Sequence, residues 1–360
     1  MKLLVDAMCA EFGGIRTYVD HLLGRWADFF PDDEVHVALR VGSTLTTGGG
    51  TRHELPVHGP DVLGRPLAQT LALPRLVKQL RPDVVLATAP TTTVRRVPAP
   101  LCVVVHDLRH ELRPEQFSRG RRLLRSASYG RCYAIADAFI AVSERTRHDL
   151  HRLHPRTAAV PSKVVHHGAD HVLAWPSPRR IGPSVGFAHH SNKNPDLLFE
   201  AWSLLAADPG GAPPLKLLGV GSARREAIAA RVAALGLSDR VELAPFLPDP
   251  EFQQVLAESS MVVFPSDFEG FGLPVVEGML LGKPVVLGPE PATTEVAGGH
   301  AAVASDWSPA ALADAVRRAH AMSQTDLEAA RAWAATFTWG RTIRQTRAAL
   351  AELVAEQPAA

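Results

Sequence analysis

Phe264-Pro-Ser-Asp-Phe-Glu-Gly-Phe-Gly-Leu-Pro-Val-Val-Glu-Gly-Met279 is the stretch from which the rest of the chain is best read. Just ahead of it, Ser260–Phe264 holds the apolar run Met-Val-Val-Phe and reads as a short buried strand. Ser266–Gly272 is a polar, glycine-rich loop. Pro274 suits the first turn of a helix, where a missing N–H costs nothing. That helix carries Val275, Val276, Met279 and Leu280 and ends near Gly282, with Pro284 just beyond. The order is strand, glycine loop, helix N-terminus. The unpaired amides and dipole of such a helix start suit an anion such as a phosphate. Gly270 and Gly272 let backbone approach it closely. Glu269 lies in the loop and Glu277 about one turn into the helix, with seven residues between them. A phosphate repels carboxylates, so the glutamates serve another part of the same ligand. A carboxylate accepts two O–H donors, which fits the vicinal hydroxyls of a sugar. The implied ligand joins phosphate and sugar: a sugar nucleotide.

Composition sets the outer bounds. The 360 residues are enough for two ordinary domains, and 46% of them are hydrophobic. No apolar run approaches the roughly eighteen residues of a membrane span. The start, Met1-Lys-Leu-Leu-Val-Asp6, breaks into charge at once, unlike a signal peptide. Cys9, Cys102 and Cys132 show no metal spacing and fit a reducing compartment, so the expected location is the cytoplasm or the inner face of its membrane. A net charge of +1 suggests no nucleic-acid partner. High Ala, Arg and Pro with few Lys look like a GC-rich bacterial coding bias.

Strands and helices alternate along the chain, which implies parallel sheets covered by helices on both faces. Met1–Met8 reads as the first strand, followed by Gly13-Gly14 and a helix from about Ile15 to Phe30. Further strands are expected at 34–39, 84–88, 102–105, 138–142 and 164–165, with helices at 66–80 and 119–136. Ser143 is placed to cap the helix that follows it. The Pro-, Arg- and Gly-rich segment 175–184 breaks the pattern and reads as a linker. Alternation then restarts, with strands at 185–188, 215–218, 241–243, 260–264 and 284–287. Helices are expected at 195–205, 224–235, 249–259 and 309–322, and a helical tail from Thr325 is interrupted around Phe337-Thr-Trp339. The expected domains are 1–174, 185–335 and a C-terminal helix, 336–360. In doubly wound sheets ligands bind beyond the carboxyl ends of strands.

The central string resembles the E-x7-E motif of retaining glycosyltransferases of the GT-B fold, in the large glycosyltransferase group 1, or family four, class. The resemblance runs from the Gly-Gly loop to Trp339. It implies two Rossmann-like doubly wound α/β domains facing across a cleft. The first would serve the acceptor and the second the donor, a nucleoside diphosphate sugar, with the last helix crossing back to the first domain. Glu277 would hold the ribose and Glu269 the transferred sugar. Lys193 would meet the diphosphate, helped by backbone at Phe271, Gly272 and Leu273 and by the Gly219-Val-Gly-Ser222 turn. The resemblance also implies that Gly13-Gly14 touches donor phosphate or acceptor, and that His106 lies near the donor sugar. Arg16 is a further candidate cation and Asp107 a candidate supporting group.

The resemblance has gaps. The family's Arg ahead of Lys193 is missing, and His189, His190 and Ser191 occupy that region. A lone Gly-Gly also suits a plain tight turn, and an isolated His a core position. Zinc at the paired histidines His166-His167 and His189-His190 is disfavoured, because neighbouring histidines rarely share a tetrahedral metal and no Cys joins them. No Asp-x-Asp beside a strand suggests a metal, so neither metal nor cofactor is expected. Arg119, Arg121, Arg122, Arg125 and Arg131 make the helix 119–131 basic. That is either a solvated face or a contact for an anionic acceptor or a membrane surface. Two other functions were weighed. A nicotinamide dehydrogenase needs G-x-G-x-x-G after its first strand, where this chain has Cys9-Ala-Glu-Phe-Gly-Gly14. A non-catalytic sugar-nucleotide-binding protein would keep the fold and lose the catalytic groups, but Glu269, Glu277, Lys193 and His106 are all present. The expected function is therefore sugar transfer to an acceptor hydroxyl, in polysaccharide, glycolipid or glycosylated natural-product synthesis.

Overall fold

In the computed structural model, which describes residues 1–59 and 61–356, the chain forms two α/β units. Met1–Gly168 and the segment from Thr338 onward make one unit, and Ala169–Phe337 makes the other.

The first unit is built on seven parallel strands: β1 (Lys2–Asp6), β2 (Glu34–Arg40), β3 (Thr51–Leu55), β4 (Val84–Ala87), β5 (Leu101–Val105), β6 (Ala138–Ala141) and β7 (Ser162–Val164). Their spatial order is β3-β2-β1-β4-β5-β6-β7. β1 pairs with β2 on one side (Leu3↔Val35) and with β4 on the other (Leu3↔Val84), so strand order reverses at β1. β4, β5 and β6 are buried throughout and read as unbroken apolar runs, as a sheet covered on both faces requires. β3 escaped the sequence reading. Its Thr-Arg-His-Glu-Leu is polar and largely exposed, because it forms the sheet edge and has little to bury. The expected helix 15–30 is two helices, Gly13–Gly24 and Trp26–Phe29, broken at Arg25 (φ −119°, ψ 5°). Ser143 does cap its helix, its side chain accepting from the Thr146 amide.

The returning helix Trp339–Ala355 packs on helix Gly13–Gly24. Trp339 is fully buried and its ring stacks on His21 at 4.9 Å. Thr342 Oγ1 donates to the His166 carbonyl at 2.8 Å, and Arg347 Nε pairs with Asp33 at 2.8 Å.

The second unit has six parallel strands: β8 (Ser184–Phe187), β9 (Leu215–Leu218), β10 (Val241–Leu243), β11 (Val262–Phe264), β12 (Val285–Leu287) and β13 (Ala302–Val303). The order is β10-β9-β8-β11-β12-β13, so the reversal falls at β8. Helix Leu273–Leu280 lies close on β11 because Gly278 has no side chain; a Cβ there would come 2.9 Å from Val262 Cγ2. β13 and helix Pro291–Ala297 were not foreseen; both are short, with two and seven residues, and too brief for a periodic signal.

The expected linker and domain limits differ from the division seen. The break falls after Gly168, and residues 175–184 belong to the second unit. The Arg179 amide donates to the Ala257 carbonyl at 2.7 Å and the Gly182 amide to Glu258 at 2.8 Å. Lys283 Nζ donates to the carbonyls of Arg179 and Ala257. Proline and glycine in this segment mark irregular backbone that is nevertheless tied down.

Candidate functional site

At the carboxyl end of β8 the chain turns through Ala188–Asn194, with Asn194 in the left-handed region (φ 52°) just before helix Pro195–Leu205. This turn meets the loop that follows β11: the Asp267 amide donates to the Asn192 carbonyl at 2.8 Å. The two loops flank the point where strand order reverses. Lys193, 6% exposed, places Nζ 2.5 Å from Glu269 Oε1 and 4.3 Å from the centre of the Phe264 ring. Asn192 Nδ2 donates to Glu269 Oε1 at 3.1 Å and to the Phe268 carbonyl at 2.8 Å. Lys193 and Glu269, 76 residues apart, are thus one polar unit. Sequence reading named both but missed Asn192, whose value lies in a contact that no local pattern announces.

The loop ends at Gly272, which caps helix Leu273–Leu280 without a side chain. Its φ of +91° needs glycine, and a Cβ would also come 2.8 Å from Thr293 Cγ2. The helix start is therefore backbone alone. At the start of the same loop, Ser266 Oγ is buried with no hydrogen-bond partner among the described residues. Phe271 is buried, with its ring edge-on to Phe337 at 6.0 Å, so it anchors the loop. Glu277, 5% exposed, accepts at Oε1 from His171 Nε2 at 3.2 Å. His171 comes from the 3-10 turn Asp170–Ala174, which packs on the same helix. Gly219 has φ +76° and lies against His189, so the turn after β9 also reaches this edge. Arg224 Nη1 donates to the Ala188 carbonyl at 3.2 Å. Glu290 is buried and caps helix Pro291–Ala297 by accepting from the Thr293 amide at 2.8 Å.

In the first unit the carboxyl ends of β1, β4 and β5 carry the other named residues. Gly13 (φ +68°) and Gly14 open helix Gly13–Gly24, which has no side-chain cap and no acidic residue in its first turn. Arg16 was read as a cation for ligand. Its guanidinium is committed within the unit, to Asp20 Oδ2 at 3.2 Å and Thr44 Oγ1 at 3.0 Å. His106 Nε2 bonds to the Thr88 carbonyl at 2.8 Å, so that nitrogen carries the proton. Burial lowers its pKa, against the pull of that bond and of Asp107. The ring meets Tyr18 edge-on at 5.2 Å and His167 at 5.4 Å. Asp107 Oδ1 accepts from the Arg109 amide at 2.9 Å, at the start of the short helix Arg109–Leu112. Arg121 and Arg122 are exposed on helix Arg119–Ile135. No group of three or more His, Cys, Asp or Glu side chains among the described residues is arranged to hold a metal ion. No helix among them is long and apolar enough to cross a membrane.

Comparison with known proteins places this geometry in a family. A model described as Glycosyltransferase Family 4 matches residues 12–173, and one described as Glycosyl transferases group 1 matches 182–321. The chain belongs to the glycosyltransferase group 1 family. This group 1 chain has the GT-B fold, with two Rossmann-like units. It superposes on sucrose-phosphate synthase from Thermosynechococcus elongatus with a TM-score of 0.77, covering 99% of this chain and 100% of that one at 17% identity. It superposes on Anabaena HepE, solved in complex with UDP-glucose, with a TM-score of 0.75, covering 99% and 100% at 20% identity. In sequence it is 29% identical to a D-inositol 3-phosphate glycosyltransferase of Mycolicibacterium vanbaalenii, over 62% of this chain and 56% of that protein. It is 42% identical to an MMP alpha-(1->4)-mannosyltransferase of Mycolicibacterium hassiacum, over 19% of this chain and 16% of that protein. The group 1 chain thus spans little more than half the length of the first curated relative and a small part of the second.

Proposed function

We propose that this chain transfers a glycosyl group from a nucleoside diphosphate sugar to an acceptor hydroxyl, with retention of anomeric configuration and without a metal. The observation that carries the reading is the Lys193–Glu269 pair at the carboxyl end of β8, in the loop that leads into a helix capped by glycine alone. An ammonium has three donors, so the one given to Glu269 leaves two for phosphate oxygens. As the diphosphate departs, negative charge grows on it. Lys193 and the backbone at Gly272 and Leu273 are fixed donors that oppose that charge without having to reorganise. Glu269 accepts from a hydroxyl of the transferred sugar, and Glu277 from the ribose. The departing phosphate takes the acceptor proton, so no protein nucleophile is needed.

Support for the donor class comes from the likeness to HepE, whose solved complex holds UDP-glucose. The relatives named for D-inositol 3-phosphate make a phosphorylated polyol the first acceptor to try. The first unit would choose the acceptor, with Gly13, Gly14 and Asp107 at its strand ends, while His106 would lie near the transferred sugar. Helix Arg119–Ile135 adds exposed Arg121 and Arg122, and residues 117–136 contain no acidic side chain. That face suits an anionic acceptor or an anionic lipid surface.

The test is release of nucleoside diphosphate from a panel of UDP-, GDP- and ADP-sugars, with inositol phosphate as acceptor and excess EDTA. The expected result is acceptor-dependent release that survives the chelator. Tight binding with no release from any donor or acceptor would identify a binding protein of the same fold. Loss in EDTA with recovery in manganese would overturn metal independence.

A further inference from the structure

Glu277 is a buried carboxylate on a helix whose neighbouring residues are apolar, Val275, Val276, Met279 and Leu280 all being buried. A carboxylate in such a place needs a donor, because its apolar neighbours offer none. The structure supplies one fixed donor, His171 Nε2, at 3.2 Å from Oε1. Glu277 Oε2 has no hydrogen-bond partner among the described residues.

The imidazole is itself held. Its ring meets Trp175 edge-on at 5.4 Å, and Trp175 meets Phe252 edge-on at 6.0 Å. The turn that carries it is pinned at its start, where the Ala169 amide donates to the Phe337 carbonyl at 2.9 Å. Val172, within the turn, is buried. His171 and Glu277 are 106 residues apart in sequence. Nothing in the E-x7-E string foretells the partner, and residues 169–174 read as part of the first domain until the contacts assign them to the second.

We propose that His171 is a positioning residue for the donor site. By donating to Oε1 it fixes the carboxylate plane of Glu277 and leaves Oε2 presented to the hydroxyls of a nucleoside ribose. A donor held on one oxygen and a ligand on the other is the arrangement by which a supporting hydrogen bond orients a binding group. The proposal rests on the reading of Glu277 as the ribose acceptor. It adds that a segment outside the loop-and-helix motif sets that group's geometry.

The experiment measures binding of UDP, GDP and ADP, and of the matching monophosphates, to the full chain by calorimetry. His171→Ala, His171→Gln, Glu277→Gln and the His171→Ala/Glu277→Gln double variant are compared with wild type, each checked for an unchanged thermal midpoint. For whichever base wild type prefers, His171→Ala is expected to weaken di- and monophosphate alike by about tenfold, the size of one hydrogen bond to a charged group. His171→Gln, whose amide can donate from nearly the same point, restores most of that affinity. In the Glu277→Gln background the His171→Ala change adds little, because the group it serves is already altered. Unchanged affinity in His171→Ala, or a full additive loss in the double variant, overturns the positioning role while leaving the donor reading intact. If Glu277→Gln itself binds every nucleotide as wild type does, the donor reading falls and takes this proposal with it.

Discussion

The two units share a topology and differ in what they place where strand order reverses. At β1 the reversal point is closed on itself. Asp6 is 1% exposed, and its carboxylate accepts from Thr92 Oγ1 at 2.7 Å, Gln69 Nε2 at 2.8 Å and the Met8 amide at 3.2 Å. Burial raises the Asp6 pKa in spite of those donors and of nearby Arg65. At β8 the reversal point is charged and only partly satisfied. Lys193 keeps donors to spare, Glu277 keeps an oxygen, and the adjoining helix starts with bare backbone. The same crevice is thus a structural knot in one unit and, in the other, carries the polar groups that the proposed donor site would use. Topology says where a ligand can go, and the side chains say whether anything is left to hold it.

The largest expected effect tests the charged end. Glu269→Gln should lower kcat by about a hundredfold, because its contact belongs to the reacting sugar. Affinity for free nucleoside diphosphate should hold or rise, since Lys193 is released from its partner. Calorimetry beside turnover reads both, and full turnover in the variant would remove Glu269 from the chemistry. Next, Lys193→Ala should weaken nucleoside diphosphate binding by about 1.5–3 kcal/mol, as expected for a charge-assisted hydrogen bond. Binding of the bare nucleoside should not change. Equal loss for both ligands would mean that Lys193 holds the loop and not the phosphate.

The knot is probed by Asp6→Ala. Thr92 and Gln69 then lose a buried acceptor, and stability should drop by about 1–3 kcal/mol in urea unfolding. Donor affinity should stay at the wild-type value. A loss of nucleotide binding with no change in stability would erase the contrast between the units.

Much of this was open to reading from the chain alone. The buried strands were found because Leu101-Cys-Val-Val-Val105 and its like can hardly be anything else in an α/β protein. Glu269, Glu277 and Gly272 could be singled out because they sit together on one strand–loop–helix string. β3 was missed because an edge strand can be polar, and His171 because its contact with Glu277 spans 106 residues. The partners of Arg16 were out of view for a related reason: Thr44 lies in another loop, 28 residues away. Local pattern carries element type and backbone demand, while side-chain partnership is a tertiary fact.

The smallest expected effect concerns how the second unit holds the segment 175–184. Lys283 is 1% exposed, and burial lowers its pKa from 10.5 to about 8. As pH rises the native state gives up this proton before the unfolded chain does. Between about pH 8 and 10.5 the unfolded chain binds more protons here, so this group's contribution to stability rises with pH across that window. Below it, the buried ammonium is a constant cost. Lys283→Met should flatten the rise, as read from urea midpoints at several pH values. Identical slopes for variant and wild type would show that the ammonium is well solvated.

The return of the chain at Thr338 has a consequence for the order in which the molecule is made. Most of the first unit precedes the second in the chain, yet its helix Gly13–Gly24 packs on a helix that starts at Trp339. The second unit, Ala169–Phe337, is a continuous length of chain whose two ends meet through the Ala169–Phe337 hydrogen bond. On the ribosome it is therefore whole before its predecessor is. Until helix Trp339–Ala355 emerges, the face of helix Gly13–Gly24 that receives Trp339 stays uncovered, with Tyr18 and His21 among its residues. The nascent chain carries a finished second unit beside an unsealed first one, and helix Trp339–Ala355 is the closing piece.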